Sequence, residues 1–212
     1  MNNTYILLVN WNGWRDTIEC LESVFRNDFP RYKVIVCDNG SGDGSIEYIK
    51  AWADGRQPAL VPPEHPLRHL TDPPVPKPIA WVEYGREAAE KGGRAEDEKV
   101  PLILIRTEKN LGFAGGNNVG LRYALARDDF DYVWLLNNDT VIEPGALSSL
   151  VQRMEEGPDA GLCGSTLLFY GEPEVLCGRG GGAYNKWIAH VRHIGFYQPA
   201  AIQLGRDSVE RR

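Results

Sequence analysis

The fold class can be worked out from residues 132–147, which read YVWLLNNDTVIEPGAL. A continuous apolar run ends abruptly in two amides, a carboxylate and a hydroxyl, namely Asn137, Asn138, Asp139 and Thr140. One interpretation is a plain turn, because Asn and Asp side chains bond the nearby backbone. The other is a site for a metal ion and a phosphate, and the rest of the chain distinguishes between the two.

Three more apolar runs resemble the one that ends at residue 136. They read YILLV at 5–9, KVIVC at 33–37 and PLILI at 101–105. Runs that are nearly continuous rather than alternating are typical of strands buried on both faces of a parallel sheet. Stretches with helical periodicity alternate with these runs, at 14–28, 117–129 and 144–157. This order predicts an α/β fold with a mainly parallel central sheet and helices on both faces.

Each of the four predicted strands is followed by a polar stretch rich in amides. These stretches span residues 10–13, 38–41, 108–112 and 137–140. The carboxyl ends of parallel strands lie at one edge of a sheet, where open α/β sheets bind their ligands. Four such ends together predict a binding cleft rather than four unrelated turns.

Two carboxylates at these strand ends are candidates for chemistry. Asp38 can accept a hydrogen bond from the imide N–H of a uracil or thymine ring, or it can cap the turn that follows. The local sequence leaves both roles open. Asp139 can hold Mg²⁺ or Mn²⁺, with waters and diphosphate oxygens completing the coordination shell. Asn138 can add a carbonyl oxygen or contact a ribose.

The stretch NLGFAGGNN at 110–118 supplies flexible backbone beside the predicted cleft. Gly112, Gly115 and Gly116 would let the backbone approach a ligand closely, because glycine has no side chain. Asn117 is predicted to cap the helix that follows.

Composition narrows the function classes. The 212 residues carry a formal charge of −6 with a pI near 5.3, so binding to nucleic acid is not expected. The first residues, MNNTYILLVNW, predict a strand rather than a signal peptide, and no apolar run has the length of a membrane span. These features predict a cytoplasmic protein, with peripheral contact at the inner face of the membrane left open.

Four cysteines are present, and none forms a CxxC pair. Reduced, structural thiols are expected, particularly at Cys20 and Cys37, which lie in apolar stretches. The weaker alternative is a zinc site that combines Cys177 with His190 and His193, although this spacing matches no closed zinc site.

Two segments do not follow the α/β order. Residues 55–99 are predicted to be an insertion, since positions 58–78 hold eight of the fourteen prolines. We expect 55–80 to be an extended surface excursion, disordered or functional, and 81–99 to include a short amphipathic helix. Further on, 161–169 predicts another strand. The glycine-rich stretch 178–187 predicts a mobile loop or, as the alternative, a phosphate cradle.

Four blocks, in this order, resemble the family 2 glycosyltransferases with the GT-A fold. They read VNWNG, VIVCDNGSGDGS, EKNLGFAGGNN and WLLNNDTVIEPGAL, and they look closest to the rhamnosyltransferase-like branch. The resemblance covers residues 4–54 and 100–170. It implies a nucleotide-diphospho-sugar-binding fold, with 1–212 as a single domain that forms the N-terminal donor-binding part of a longer enzyme.

The resemblance also assigns roles to residues. Val9 and Trp11 would flank the nucleobase, and Asp38 would read its edge. Asn138 and Asp139 match the last two positions of the family's Asp-x-Asp-type motif, while Asn137 replaces its first Asp. The implied donor site comprises Val9, Trp11, Asp38, Asn110, Gly112, Asn117 and Asn138, with Asp139 as the metal ligand.

The implied reaction is an inverting transfer of a sugar from a UDP or dTDP donor, with rhamnose suggested by the branch, assisted by Mg²⁺ or Mn²⁺. The acceptor would be a saccharide, such as a growing surface or cell-wall polysaccharide, or a lipid-linked glycan. The catalytic base is not identified, because Glu172, Glu174 and Asp207 stand in no matching context. We therefore expect the chain alone to bind nucleotide and to transfer sugar poorly or not at all.

Three other functions compete with this interpretation. A nicotinamide dehydrogenase needs GxGxxG after the first strand, where this chain has NWNGWRD. A nucleotidyltransferase usually has a glycine-rich, basic loop at the same place. A non-catalytic nucleotide-sugar-binding module fits better, given Asn137 and the missing base.

Overall fold

A computed structural model describes residues 3–202 of the chain. The described residues form two compact units. The first unit contains the residues up to Pro62 together with Leu70–Pro144, and the second contains Pro63–His69 together with the residues from Gly145 onward.

A five-stranded sheet is the centre of the first unit. All its strand pairs are parallel, in the order β3-β4-β2-β1-β5. The strands are β1 Thr4–Asn10, β2 Tyr32–Asp38, β3 Trp81–Gly85, β4 Leu102–Arg106 and β5 Tyr132–Leu135. Four of them lie where the apolar runs predicted strands, so the parallel α/β architecture is confirmed.

Helices flank this sheet. They are α1 Trp14–Val24, α2 Ser45–Ala53, the short α3 Arg86–Ala89 and α4 Gly112–Arg127. Val119 and Tyr123 of α4 pack in one cluster with Leu7, Ile35 and Ile103 from three strands. Neighbouring strand residues such as Ile6 are also fully buried, because the alternate side chains of each central strand point to the opposite face.

The strand that precedes the Asn-Asn-Asp stretch is less buried than expected. Three of the four β5 residues are half-buried, and Leu135 is 49% exposed. The prediction that all four strands are buried on both faces is therefore wrong for β5. The physical reason is its place at the edge of the sheet, where it pairs with β1 alone among the described strands.

The predicted insertion contributes to the fold of the first unit. Residues 81–85 form β3, which pairs with β4 at the other edge of the sheet, and α3 follows directly. Leu70, Val75 and Ile79 are buried. The prediction that 55–80 is only a surface excursion is thus wrong, because apolar side chains spaced among the prolines reach the core.

A buried carboxylate attaches this insertion to the helices. Glu22 of α1 is 1% exposed and accepts hydrogen bonds from three donors. These are Trp52 Nε1 at 2.8 Å, the Val75 backbone N–H at 2.8 Å and Lys77 Nζ at 3.1 Å. The Lys77 ammonium also lies 3.9 Å from the centre of the Trp52 ring. One carboxylate therefore holds α1, α2 and the insertion together.

The second unit combines a helix, α5 Ala146–Glu156, with two small antiparallel sheets. Strands β6 Thr166–Phe169 and β7 Glu172–Arg179 form one sheet, and β8 Gly182–Asn185 and β9 His190–His193 form the other. The predicted strand at 161–169 begins only at Thr166. The stretch 178–187 is not one loop, since most of it lies in β7 and β8, and the phosphate-cradle alternative stays a prediction.

The structure also bears on cysteines, metals and membrane spans. All four cysteines are free, as predicted, and burial raises the pKa of the Cys37 thiol to about 12. No cluster of three or more His, Cys, Asp or Glu side chains suited to a metal occurs within residues 3–202, which disfavours the zinc interpretation. Among the same residues, no helix is both long and apolar enough to cross a membrane.

Candidate functional site

The strand order places a ligand-binding crevice beside β1. After β1 the chain builds one side of the sheet with β2, β3 and β4, and it later adds β5 on the other side. Open α/β sheets bind ligands at such a switch point, outside the carboxyl ends of the strands. The polar stretches that follow β1, β2 and β5 meet there, as the sequence predicted.

A chain of hydrogen bonds joins these three strand ends. The Asn138 amide Nδ2 donates to Thr17 Oγ1 at 2.9 Å, and Thr17 Oγ1 donates to Asn10 Oδ1 at 2.9 Å. Asn10 Nδ2 then donates to Asp38 Oδ1 at 2.8 Å. Thr17, Asn10 and Asp38 are buried, so this part of the network is shielded from water, while Asn138 is half-buried. We refer to these four residues as the Asn138–Asp38 network.

Thr17 is the member of this network that sequence reasoning missed. It lies inside α1, where a threonine carries no local signal of function. The site also depends on Gly13, which precedes α1. A Cβ atom at Gly13 would lie 3.2 Å from Asn138 Nδ2, so a larger residue would push the amide out of place.

Asp38 is buried and already has partners. It is 4% exposed, and besides the bond from Asn10 its Oδ2 accepts the Ser41 backbone N–H at 3.4 Å. That weak bond matches the turn-capping role left open by the sequence. A contact with a nucleobase stays a prediction.

Asn39 ties the end of β2 to the loop between β4 and α4. Its Nδ2 donates to Asn110 Oδ1 at 3.0 Å and to the Gly112 carbonyl at 3.1 Å. Its Oδ1 accepts the Leu111 N–H at 3.0 Å. Asn110 therefore helps to shape this loop, and its contact with a donor stays a prediction.

The glycine-rich block is used differently from the prediction. Gly112 has a φ of +72° and open space around it. In contrast, a Cβ at Gly116 would lie 2.8 Å from Val9 Cγ1, and one at Gly115 would lie 2.6 Å from Leu111 Cβ. Packing alone therefore requires glycine at these two positions, and close approach to a ligand stays a prediction.

The capping role predicted for Asn117 is wrong. Helix α4 begins at Gly112, well before the position that the capping prediction requires, so Asn117 lies inside the helix. Its Nδ2 donates to the Phe113 carbonyl one turn before, at 2.9 Å, and the residue is 6% exposed. Its role in donor binding stays a prediction.

The two residues predicted to flank a nucleobase differ in their surroundings. Val9 is half-buried against Gly116 of α4, whereas Trp11 is 57% exposed beyond the end of β1. The exposed Trp11 ring has the area needed for stacking on a planar base. The flanking role stays a prediction for both.

Asp139 and Asn137 are exposed at the end of β5, while Asn138 between them is half-buried. Asp16, in the first turn of α1, also lies near this carboxylate. Burial, followed by the negative charge of Asp139, raises the pKa of Asp16, and Arg15 acts in the opposite direction. A cation bound at Asp139 would relieve this repulsion between the two carboxylates. Asp16 was not singled out from the sequence.

Asp139 fits an ion that is bound mainly by a substrate. It supplies one carboxylate, and the described residues contain no three-residue cluster that would hold a metal without further ligands. Divalent ions such as Mg²⁺ commonly combine one or two carboxylates with phosphate oxygens and waters. The donor set is thus consistent with a metal bound together with a diphosphate.

Among solved structures, a mannosyltransferase shares the fold of this chain. A mannosyltransferase from Pyrobaculum calidifontis, solved with GDP-Man and Mn²⁺, matches 79% of this chain and 36% of its own at 18% identity, with a TM-score of 0.53. S. aureus TarS 1–349 matches 73% of this chain and 32% of its own at 16% identity, with a TM-score of 0.41. The matched region is about a third of the length of each neighbour.

Comparison of the sequence gives the family. No curated protein matches the chain significantly. The model described as "Glycosyl transferase family 2" does match, at residues 5–62 and 87–176. The gap at 63–86 contains β3, so the part outside the family pattern is narrower than the predicted 55–99. Because the match covers well over half of the residues, this chain belongs to glycosyl transferase family 2.

Proposed function

We propose that this chain binds a nucleoside-diphosphate sugar at the carboxyl edge of the five-stranded sheet, and that it serves a transferase that passes the sugar to a hydroxyl acceptor. The observation that carries the proposal is the Asn138–Asp38 network. It connects the candidate metal stretch after β5 with the candidate base-reading carboxylate after β2. A nucleoside diphosphate needs the site for its base and the site for its diphosphate at a fixed separation.

Each residue of the proposed donor site has its own role in binding. Trp11 and Val9 lie at the end of β1, where they flank the base, and Asp38 accepts its imide N–H. Asn138 is held by Thr17 and orients the adjoining Asp139. A divalent ion at Asp139 supplies a positive charge that stabilises the leaving diphosphate.

The finer features of the reaction are proposals of the same kind. An imide-reading Asp38 favours UDP or dTDP, and the rhamnosyltransferase-like pattern favours a rhamnose donor. The mannosyltransferase neighbour was solved with GDP-Man and Mn²⁺, so GDP belongs in the test as well. The acceptor is a saccharide or lipid-linked glycan, and the transfer is inverting.

The first experiment is calorimetric titration of UDP, dTDP and GDP into the chain, with and without Mn²⁺. We expect binding that requires Mn²⁺ and favours a pyrimidine nucleotide. Asp139→Asn should weaken the metal-dependent binding by at least about tenfold, because it removes the charge of the proposed metal ligand, and contacts to charged groups contribute roughly 1.5–3 kcal/mol. Glu143→Gln is the control, since it removes one exposed carboxylate four residues away.

Three results would contradict the proposal. Equal affinity in Asp139→Asn and the parent chain would place the metal elsewhere. Nucleotide binding that is indifferent to Mn²⁺ would instead favour the non-catalytic module, and no binding of any nucleotide would reject the donor site itself.

The network gives a second prediction. Thr17→Val keeps the shape of the side chain but removes the hydroxyl, which leaves the half-buried Asn138 amide and the buried Asn10 side-chain oxygen without this partner. We expect nucleotide affinity to fall about tenfold, because Asn138 is no longer held in place and one hydrogen bond contributes roughly 0.5–1.5 kcal/mol. Thr17→Ser keeps the hydroxyl and should bind like the parent. A similar loss in both variants, measured by the same titration, would assign the effect to packing instead.

A further inference from the structure

The β8–β9 hairpin of the second unit has an unusual composition for this chain. Although the protein carries a net charge of −6, no Asp or Glu occurs between residues 175 and 206. The same segment contains Lys186 and Arg192, both in or beside the hairpin. A local positive charge is therefore present on an acidic protein.

Large apolar side chains of the hairpin are exposed. Trp187 is 85% exposed and Ile188 is 69% exposed, both in the turn between the strands. Tyr184 and Val191 are directly paired across the strands, at 64% and 45% exposure, and so share one face. Exposed apolar residues are unremarkable singly, but a contiguous group of them marks an interaction site.

The arrangement of these side chains fits the boundary of a lipid bilayer. Tryptophan and tyrosine prefer this boundary, where one end of the ring is apolar and the other is wet. Lys186 Nζ lies 5.2 Å from the centre of the Trp187 ring, so a cation lies beside the exposed aromatic ring of the turn. Basic residues beside an apolar tip are attracted to anionic lipid headgroups.

We propose that the β8–β9 hairpin docks on an anionic membrane surface, with Trp187 and Ile188 inserted at the headgroup boundary and Lys186 and Arg192 against lipid phosphates. The inference goes beyond nucleotide binding and does not depend on it. A saccharide fits this surface less well, because sugar hydroxyls also donate hydrogen bonds and need strong acceptors, of which carboxylates are the best. The segment has no carboxylate, and the Asn185 side-chain oxygen already accepts the backbone N–H of Trp187 at 3.0 Å.

The test is co-sedimentation of the whole chain with vesicles, in the absence of nucleotide. Vesicles of phosphatidylcholine alone are compared with vesicles of equal parts phosphatidylcholine and phosphatidylglycerol. We expect binding to the anionic vesicles and much weaker binding to the neutral ones. Trp187→Ser/Ile188→Ser should lower the partition coefficient about tenfold or more, because it removes the apolar area that enters the boundary.

Charge reversal separates electrostatic attraction from apolar contact. Lys186→Glu/Arg192→Glu should also weaken binding to anionic vesicles by about tenfold or more, since each basic residue near the surface contributes. Arg56→Glu/Lys91→Glu is the matched control. It makes the same change in charge at exposed positions in the first unit, 68% and 72% exposed, and should retain binding.

Several outcomes would overturn the proposal. One is that the parent chain does not bind to anionic vesicles. Another is that both hairpin variants bind to these vesicles as tightly as the parent chain does. Self-association or oligosaccharide binding that is lost in the Trp187→Ser/Ile188→Ser variant, without vesicle binding, would assign the surface to another partner. Nucleotide titration of that variant should match the parent, so a failure here is distinct from a failure of the donor site.

Discussion

Glu22→Ala is expected to lower the free energy of unfolding of the first unit by about 3–5 kcal/mol, the usual cost of breaking a buried ion pair. The change removes the acceptor of the Trp52 and Val75 N–H groups together with the partner of Lys77. Burial lowers the pKa of Lys77, and the charge of Glu22 opposes that shift. Without Glu22 the ammonium stays desolvated and uncompensated.

Urea unfolding followed by tryptophan fluorescence checks this prediction. Five of the six tryptophans lie in the first unit, so the signal reports mainly on that unit. Glu87→Ala is the control, because it breaks an exposed carboxylate–lysine pair with Lys91 that water already screens, and its urea midpoint should stay close to that of the parent.

A double variant tests whether the loss comes from the unpaired charge. Glu22→Leu/Lys77→Met removes both charges, and we expect it to be more stable than Glu22→Ala, since replacing a buried pair by apolar groups is often nearly neutral. If Glu22→Ala behaved like the Glu87→Ala control, the carboxylate would have no structural role in holding the insertion.

The second large effect is expected at Gly40, which follows β2. Its φ is +74°, a left-handed conformation that disfavours a side chain, and an added Cβ would lie 2.5 Å from the Lys109 backbone carbon. Backbone cannot move aside as the end of a flexible side chain can. Gly40→Ala should therefore destabilise the first unit by about 2–5 kcal/mol, combining backbone strain with overpacking.

The same turn offers two matched controls for Gly40→Ala. Gly42 has no neighbour within 4 Å of an added Cβ, so Gly42→Ala should be nearly neutral. Gly44 has a φ of +78° but meets only the Tyr48 ring at 3.7 Å, so Gly44→Ala should show the strain without the clash. Equal urea midpoints for Gly40→Ala and Gly42→Ala would contradict the close approach of the Gly40 turn to the Lys109 backbone.

Gly40→Ala should also weaken nucleotide binding. The turn that contains Gly40 and the loop that contains Lys109 and Asn110 lie at the carboxyl edge of the sheet, where Asn39 joins them. Forcing these loops apart disturbs the end of β2, including Asp38. We expect the Gly44→Ala variant, which leaves this contact in place, to retain more of the nucleotide affinity.

The local pattern of the sequence determined the parallel sheet and the edge at which its polar residues meet. Nearly continuous apolar runs have a direct cause, because a strand covered on both faces needs apolar side chains at every position. Amides and carboxylates at the ends of those runs then lie at one edge, whatever the order of the strands.

Only the tertiary structure decided which of those polar groups touch. Local periodicity carries no information about strand order, so the edge position of β5 and the addition of β3 could not be read from it. Thr17 joins Asn138 to Asn10 across 121 residues of chain on one side and seven on the other. Side-chain contacts over such separations arise from the packing of whole elements, and for this reason the network appears only once the sheet and α1 are assembled.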